Sequence, residues 1–381
     1  MRGGQSQRQV ARAFKVSLRA VQYWLQRAQG KALPDVEWSD RSSRPHHCPR
    51  RISPVLERQV VAIRQALQTS PLGFVGAASI AQALAPVMGP PLPSLRTIGR
   101  ILQRQGLLDG RRRLRRSPPP PGWYLPAVAA QHATLDAFDF IEDLCLDGGR
   151  WFHVLTTRAL AGPLCAAWPN PGEGTTAQVL TALPQHWQRH GRPGFAQFDN
   201  DLRFLGPSRY PDTLGQVVSL CLQLQVTPVF APPAEHGLQN LVESFNALWQ
   251  SKVWHRFEHQ HLAEVYRRSE QFVAALQQRW AARNERVPLR HPFPPTWQFD
   301  RRWPLEGVVI FIRRTDLQGR LSLLGHQWLV DPGWCGRLVR AEVDLTIHQI
   351  RCYRLRRLAP ADQPLIKTIP YRFPQKRRTS T

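Results

Sequence analysis

Three acidic residues stand in sequence settings typical of metal-binding carboxylates. Asp136 lies in ATLDAFDF and Asp199 in FAQFDNDLRF, each beside a short apolar run that predicts a strand, while Glu243 lies in the helical pattern HGLQNLVESFNALW. Carboxylates on two strands and a helix would hold divalent metal ions on rigid elements. Two such ions can assist in-line attack on a phosphodiester, so these residues predict phosphoryl transfer on nucleic acid.

Two further aspartates compete for these positions. Asp201 falls after the apolar run, in a predicted loop, so we favour Asp199. Asp139 lies three positions after Asp136, and an odd offset along a strand directs its side chain to the opposite face, so we favour Asp136. Carboxylates held this close repel one another, so the metal-free site should hold extra protons or bind cations avidly.

The composition points to a polyanionic partner. The chain has 381 residues, a formal charge of +24 and 42% hydrophobic residues, which is enough for several packed domains. Its basic residues are spread along the chain, as suits a protein that lies along nucleic acid. The sequence has neither an apolar run of membrane-spanning length nor a signal core, so a cytoplasmic, nucleoid-associated protein is expected. The six cysteines are scattered, and the cluster His46, His47 and Cys48 lacks a second pair at zinc-finger spacing.

Two helix-turn-helix patterns precede the acidic residues. Residues 1–30 predict two short helices, and residues 53–110 predict three, with a basic, Pro-containing linker at 31–52. A second basic linker, Pro-rich, follows at 111–127. A docked helical hairpin and a helical bundle with a solvated basic face are the alternatives that need no DNA. The residues expected to contact DNA are Arg19, Gln22, Gln26, Arg96, Arg100, Arg104, Arg111, Arg112 and Arg113.

From residue 128 the pattern changes to mixed strands and helices. Residues 128–285 predict one α/β layer domain that begins with three antiparallel strands and ends with a long helix. A Pro-rich linker at 286–305 leads to short alternating segments at 306–360, which predict a small β-barrel, and residues 361–381 read as a basic tail. The expected fold class is therefore multidomain α/β, with helical modules, a mixed core and a C-terminal barrel.

In their order, these motifs resemble the integrase-core, or DDE-type, transposases of bacterial insertion sequences, within the retroviral-integrase superfamily. QRQVARAFKVSLRAVQYWL and PSLRTIGRILQRQGL look like the two DNA-binding modules of that family, and LDAFD, FDNDLRF and PPAEHGLQNLVESFN look like its three acidic motifs. The resemblance implies an RNase H-like core in which Asp136, Asp199 and Glu243 bind two Mg²⁺ or Mn²⁺ ions. It also implies DNA end cleavage and strand transfer, with double-stranded DNA as partner and a homo-multimer that brings two DNA ends together.

Four features depart from that family pattern. Asp201 stands where the family often has Gly, Ser244 stands where a basic residue is common, and the 44 positions from Asp199 to Glu243 exceed the interval in many integrase cores. The first helix of the leading module is missing, so the start is expected to be misplaced or truncated. His236 and Asn240 flank the acidic helix and could contact substrate, although packing is the favoured role. A DNA-binding regulator without catalysis and a metal-dependent nuclease without strand transfer stay open as alternatives.

Overall fold

Serine caps begin the first two helices. Ser6 accepts a hydrogen bond from the backbone of Gln9, and Ser17 accepts one from Ala20, so that α1 spans Gln7–Ala13 and α2 spans Leu18–Ala28. The turn between them places Lys15 at a φ of 52°. A short 3₁₀ helix, Leu33–Asp35, follows, and Trp38 packs its ring 5.7 Å from that of Trp24. Two short helices joined by a turn are therefore present between residues 7 and 28.

The structure, a computed structural model, describes residues 4–39, 52–108, 122–207, 210–233, 238–282 and 286–374. The chain forms two compact units, residues 1–58 and 59–381. Beyond α2 come α3 (Pro54–Thr69), α4 (Ala77–Met88) and α5 (Leu95–Arg104). In α5, Ile98, Ile101 and Leu102 are buried, as their helical spacing predicts.

Strands and helices alternate after residue 122. The elements in chain order are α6 (Pro126–Ala129), β1 (Leu135–Cys145), β2 (Trp151–Ala159), β3 (Cys165–Pro171), α7 (Thr176–His190), β4 (Phe195–Phe198), α8 (Leu202–Leu205), α9 (Gln216–Gln223), β5 (Thr227–Phe230), α10 (Asn240–Trp249), a π-helical turn (Gln250–Trp254) and α11 (Leu262–Ala281). Strands β1, β2 and β3 form the antiparallel meander that the sequence predicts. Strands β4 and β5 add to β1 in parallel, as crossover helices require.

Each face of this sheet has its own helices. Phe138 of β1 packs with Trp187 of α7 and Val217 of α9 in one hydrophobic cluster. Ile141 of β1 packs with Phe245 of α10 and other side chains from α10 and α11 in a second cluster. Because successive residues of a strand point to opposite faces, the odd offset between Phe138 and Ile141 accounts for this division.

The C-terminal strands extend the same sheet, which differs from the barrel predicted for residues 306–360. They are β6 (Val308–Arg314), β7 (Arg320–Leu323), β8 (His326–Leu329), β9 (Leu338–Asp344), β10 (Gln349–Arg354) and β11 (Leu365–Pro370). The sheet has nine strands in the order β11-β10-β9-β6-β5-β4-β1-β2-β3, and β7 pairs with β8 in a separate hairpin. Alternation correctly predicted strands, but β6 pairs in parallel with β5 because β5 would otherwise leave an open edge.

The Pro-rich segment predicted as a linker at 286–305 is docked on the core. Arg192 exchanges both backbone hydrogen bonds with His291, at 2.7 and 2.9 Å, and the Arg192 side chain donates to the carbonyl of Pro292. Gly191 has a φ of 81°, and a Cβ there would lie 3.0 Å from the Arg290 side chain and from the His291 carbonyl. This close approach requires glycine and fixes the path of the segment.

Candidate active site

Asp139 and Asp199 lie at the same level of two neighbouring strands. Parallel pairing sets Asp136 beside Ala196 and Ala137 beside Gln197. Continued along both strands, this register brings Asp139 beside Asp199. Neighbouring strands of a sheet lie about 4.8 Å apart. Asp139 and Ala137 share one face of β1, and this is the face that α10 covers. Two carboxylates therefore meet at the end of β4, on the α10 side of the sheet.

The electrostatics of Asp139 reflect this crowding. Burial, then the charge of Asp199, and also the charge of Glu243 raise the pKa of Asp139 to about 7. Burial and the nearby Asp201 raise the pKa of Asp199 as well, although the backbone N–H of Asp201 opposes the rise by donating to its Oδ1 at 3.0 Å. A cation placed between the carboxylates would reverse these shifts, because an opposite charge favours the ionised form.

Helix α10 connects to this pair through Asn246, which sequence reasoning missed. The side-chain amide of Asn246 donates to Oδ2 of Asp139 at 2.8 Å, and its oxygen accepts from the hydroxyl of Thr156 at 2.6 Å. Glu243 stands one helical turn earlier, half-buried in the first turn of α10. Residues three apart share a helix face, so Glu243 faces the same side as Asn246. The spacing E-x-x-N in VESFN was the available signal.

Asp201 is committed to structural contacts. Its carboxylate caps α8 by accepting from the backbone N–H of Arg203 at 2.8 Å, and it is also paired with the Arg203 guanidinium. The same guanidinium binds Glu142 at 2.5 Å and lies 4.2 Å from the ring centre of Phe140. Burial alone would raise the pKa of Asp201, but the hydrogen bonds from Arg203 leave it lowered. Asp201 is thus held by Arg203, and the choice of Asp199 over Asp201 as a metal ligand stays a prediction.

Asp136 lies on the opposite face of β1, in a buried ion pair with Arg290. Its side chain has no exposed surface, and its two oxygens accept from Arg290 at 2.9 and 2.6 Å. The indole of Trp187 donates to the same carboxylate at 3.2 Å. Burial opposes ionisation here, yet the Arg290 hydrogen bonds and charge lower the pKa. The structure therefore brings Asp139, and not Asp136, together with Asp199.

The separation of Asp136 from Asp199 has a simple geometric cause. Asp136 and Asp139 do point to opposite faces, as the odd offset implies. The offset alone does not say which face Asp199 occupies, since that depends on the register between β1 and β4. Asp136 pairs with Ala196, which lies an equally odd three positions before Asp199. The register therefore assigns Asp199 to the face of Asp139.

A buried hydrogen-bond network holds the chain that leads into α10. The phenol of Tyr124 donates to the side-chain oxygen of Gln197. The Gln197 amide in turn donates to the carbonyl of Leu238 at 2.8 Å. Tyr124 belongs to residues 111–127, predicted as a linker, yet it is 4% exposed. The end of that segment therefore packs in the core. Through Gln197, which precedes Asp199 by two positions, it is connected to Leu238 in the chain that leads into α10.

A divalent metal fits part of this arrangement. Carboxylate oxygens are the ligands that Mg²⁺ prefers. Burial, and after it the charges of nearby carboxylates, raise the pKa values of Asp139 and Asp199, and a bound cation would favour their ionised forms. Across the described ranges, no group of three or more His, Cys, Asp or Glu side chains is close enough to hold a metal ion. Two adjacent carboxylates, Asp139 and Asp199, thus fit a metal as they stand.

The predicted DNA-contacting residues are exposed wherever the structure describes them. On α2 these are Arg19, Gln22 and Gln26, and on α5 they are Arg96, Arg100 and Arg104. Asn240 and Ser244 are exposed on α10, and the Ser244 hydroxyl donates to the carbonyl of Leu241 in its own helix. Other predictions lie outside the described residues, namely those for His46, His47, Cys48, Arg111, Arg112, Arg113 and His236.

Helices of membrane-spanning character are not found in the described part of the chain. The 20 residues of α11 would be long enough, but polar and charged side chains interrupt its apolar stripe. None of the described helices is both long and apolar enough to cross a membrane.

Comparisons with known proteins returned distant structural similarities. Neither a protein-family model nor a curated protein matches the sequence. The catalytic core domain of BIV integrase is 18% identical, covers 38% of this chain and 82% of its own, and has a TM-score of 0.28. A chain of the simian T-cell lymphotropic virus intasome, in complex with the PP2A subunit B56 gamma, is 14% identical over 78% of this chain and 93% of its own, with a TM-score of 0.30. A chain of the Mos1 strand transfer complex is 11% identical, covers 74% of this chain and 91% of its own, and has a TM-score of 0.25. Scores this low carry no argument about fold or activity, so the function must be argued from the site itself.

Proposed function

We propose that this protein is a divalent-metal-dependent polynucleotidyl transferase that cuts DNA ends and joins them to target DNA, as a transposase or integrase does. The observation that carries the proposal is the meeting of Asp139 and Asp199 beside the helix of Glu243, where burial and then the charge of Asp199 raise the pKa of Asp139 to about 7. Acids that repel one another on rigid elements are costly for stability, and such clusters are typical of functional sites.

The proposed catalytic and metal-binding residues are Asp139, Asp199 and Glu243. Asp139 replaces the sequence-predicted Asp136, because Arg290 and Trp187 already occupy both oxygens of that carboxylate. Mg²⁺ or Mn²⁺, when bound, supplies activation of the attacking oxygen and stabilisation of the leaving one. Asn246 orients the Asp139 carboxylate, and Arg203 keeps Asp201 out of the set.

Double-stranded DNA is the proposed substrate. The formal charge of +24 favours a polyanion. The exposed arginines of α2 and α5 are placed on helices that follow a turn, the arrangement in which a recognition helix enters a major groove. Joining two DNA ends to one target requires two active sites, so we propose a homo-multimer on DNA.

Nicking and joining of supercoiled plasmid with Mg²⁺ or Mn²⁺ tests the proposal. Activity should be lost in Asp139→Asn, Asp199→Asn and Glu243→Gln, and it should survive in Asp201→Asn, which serves as the matched acidic control. Asp136→Asn should keep activity at temperatures where it stays folded. Cleavage that survives Asp139→Asn but not Asp136→Asn would reverse the assignment of the first aspartate.

Product analysis in the same experiment separates the alternatives. Joined DNA products exclude a nuclease that only hydrolyses. Tight DNA binding without cleavage in the presence of either metal would instead identify a non-catalytic DNA-binding protein.

A further inference from the structure

A C-terminal arginine reaches the turn that carries Asp199. Arg313 lies on β6, more than a hundred positions after that turn. One terminal nitrogen of its guanidinium donates to the side-chain oxygen of Asn200 at 2.6 Å, and the other donates to the carbonyls of Ala231 and Ile312 at 3.1 and 2.9 Å. Asn200 follows Asp199 directly and itself donates to the carbonyl of Ala231 at 2.6 Å. The guanidinium therefore joins the ends of β4 and β5.

The hydrogen-bond acceptors of Arg313 are all neutral oxygens, and its guanidinium also lies 5.0 Å from the ring centre of Phe311. No carboxylate pairs with it among the residues that the structure describes. Burial lowers its pKa to about 10, so the guanidinium is still charged at neutral pH. A half-buried cation without a carboxylate partner is costly, and surface ion pairing does not explain its position. Its hydrogen bonds hold the Asn200 side chain in place.

We infer that Arg313 is a positioning residue of the proposed acidic site, acting through Asn200 to fix the turn from which Asp199 projects. In this turn the backbone N–H of Asp201 donates to Asp199 at 3.0 Å. Without Arg313, the Asn200 oxygen loses its charged donor and the turn can rotate. The inference rests on the proposed function, since it assigns Arg313 a role in metal binding by Asp199.

Mn²⁺ binding to the full chain can be measured by electron paramagnetic resonance in the absence of DNA. This measurement is independent of catalysis. Arg313→Ala should weaken Mn²⁺ affinity about 10-fold, the usual effect of losing support for a metal ligand. Arg313→Lys should restore part of the affinity, because an ammonium can still donate to Asn200. Arg314→Ala is the matched control: it removes the same charge from the next residue of β6, an exposed arginine that donates to the carbonyl of Gly336.

A double-mutant cycle then asks whether Arg313 acts through Asn200. In an Asn200→Ala background, Arg313→Ala should cause no further loss of Mn²⁺ affinity, because residues that act as one unit are not additive. Hydrogen exchange of the metal-free protein should show faster exchange at residues 199–201 in Arg313→Ala, with the strands of the sheet unchanged. Additive losses, or equal losses in Arg314→Ala, would overturn the inference.

Asp199→Asn distinguishes failure of the inference from failure of the function. If Asp199→Asn abolishes Mn²⁺ binding while Arg313→Ala leaves it unchanged, the acidic site stands and the role of Arg313 is wrong. If the wild type itself binds no Mn²⁺ and cuts no DNA, the proposed function and the inference fail together. An Arg313→Ala protein with normal Mn²⁺ affinity and a raised KM for DNA would make Arg313 a DNA contact instead.

Discussion

Asp136 and Asp139 lie three residues apart on β1, and their carboxyl groups have opposite pKa shifts. Asp136 is fully buried and is held ionised by Arg290, whereas Asp139 is driven toward its neutral form by burial and by Asp199. A carboxylate that is already satisfied by a guanidinium stabilises the fold. A carboxylate that lies close to other carboxylates is stabilised in its ionised form when a cation binds. At this scale the environment of each residue, rather than its type, separates structural from functional acids.

Substitution of the two aspartates should affect stability in opposite directions. Asp136→Asn removes one partner of a buried ion pair and leaves Arg290 uncompensated, so it should lower the free energy of unfolding by about 3–5 kcal/mol. Asp139→Asn removes a repelling charge and should leave the stability of the metal-free protein unchanged or higher. Urea unfolding in EDTA measures both, with the exposed Asp147→Asn as control. A larger loss in Asp139→Asn than in Asp136→Asn would contradict this assignment.

The stability of the metal-free protein should depend on pH through Asp139. Its folded pKa, about 7, lies above the ordinary value of 3.8 for an aspartate, so the folded state binds the proton more tightly than the unfolded state does. The resulting stabilisation is full below about pH 4 and is lost as pH rises through 7. The free energy of unfolding of the wild type, relative to Asp139→Asn, should therefore fall by about 4 kcal/mol from pH 4 to pH 8. Saturating Mg²⁺ should reduce that fall, and an unchanged difference between the two proteins would contradict the shift.

At the scale of elements, α10 supplies both an acid and the residue that aligns another acid. Asn246 bridges Thr156 of β2 and Asp139 of β1, one turn after Glu243. Its side chain is almost fully buried, at 8% exposure. The helix is therefore fixed to the strands at the point where Glu243 must approach the two aspartates.

Loss of the Asn246 side chain should uncouple this helix from the site. Asn246→Ala should lower metal affinity and DNA cleavage by about 10–100-fold. The Asp139 carboxylate would remain, but it would lose the hydrogen bond from Asn246 that orients it. Mn²⁺ titration and plasmid nicking measure the two effects. Asn170→Ala, on the edge strand β3, is the control and should change neither by more than about 2-fold. Full activity in Asn246→Ala would show that Asp139 needs no such support.

Most elements of residues 135–281 could be predicted from the sequence, because their signals are local. Short apolar runs in FAQF and TPVF mark β4 and β5, and helical spacing marks α10 and α11. The partner of Asp199 could not be predicted in this way, because it depends on the register between β1 and β4. The docking of residues 286–299 could not be predicted either. A proline-rich composition is the same in a free linker and in a segment that is held in place by Arg192 and Gly191.

At the scale of the whole second unit, the C-terminal strands and the core share one interior. Phe311 of β6 stacks on Phe230 of β5, with ring centres 5.2 Å apart, and Phe198 of β4 lies beside Phe230 at 5.9 Å. Val339 and Ile350, from β9 and β10, belong to the same cluster. The predicted boundary near residue 286 therefore crosses a continuous core and does not separate two domains.

Truncation should show this continuity directly. A fragment of residues 122–304 would expose the edge of β5 and the apolar side chains that β6 and β9 cover, so it should be insoluble or lack cooperative unfolding. A fragment of residues 122–374 should be soluble and should unfold in one transition, because the sheet is then complete. Expression yield and thermal unfolding followed by circular dichroism measure the difference. A well-folded 122–304 fragment would establish an independent core.

The contribution of β6 to the Asp199 turn also determines when the acidic site can form during synthesis. A ribosome makes Asp139, Asp199 and Glu243 long before it reaches Arg313 and the strands that close the sheet. Chains are made at about 5–20 residues per second, so each nascent chain carries its acids for several seconds without the strand that supports them. A prematurely terminated polypeptide would hold all three carboxylates without Arg313 and without the strands that complete the sheet.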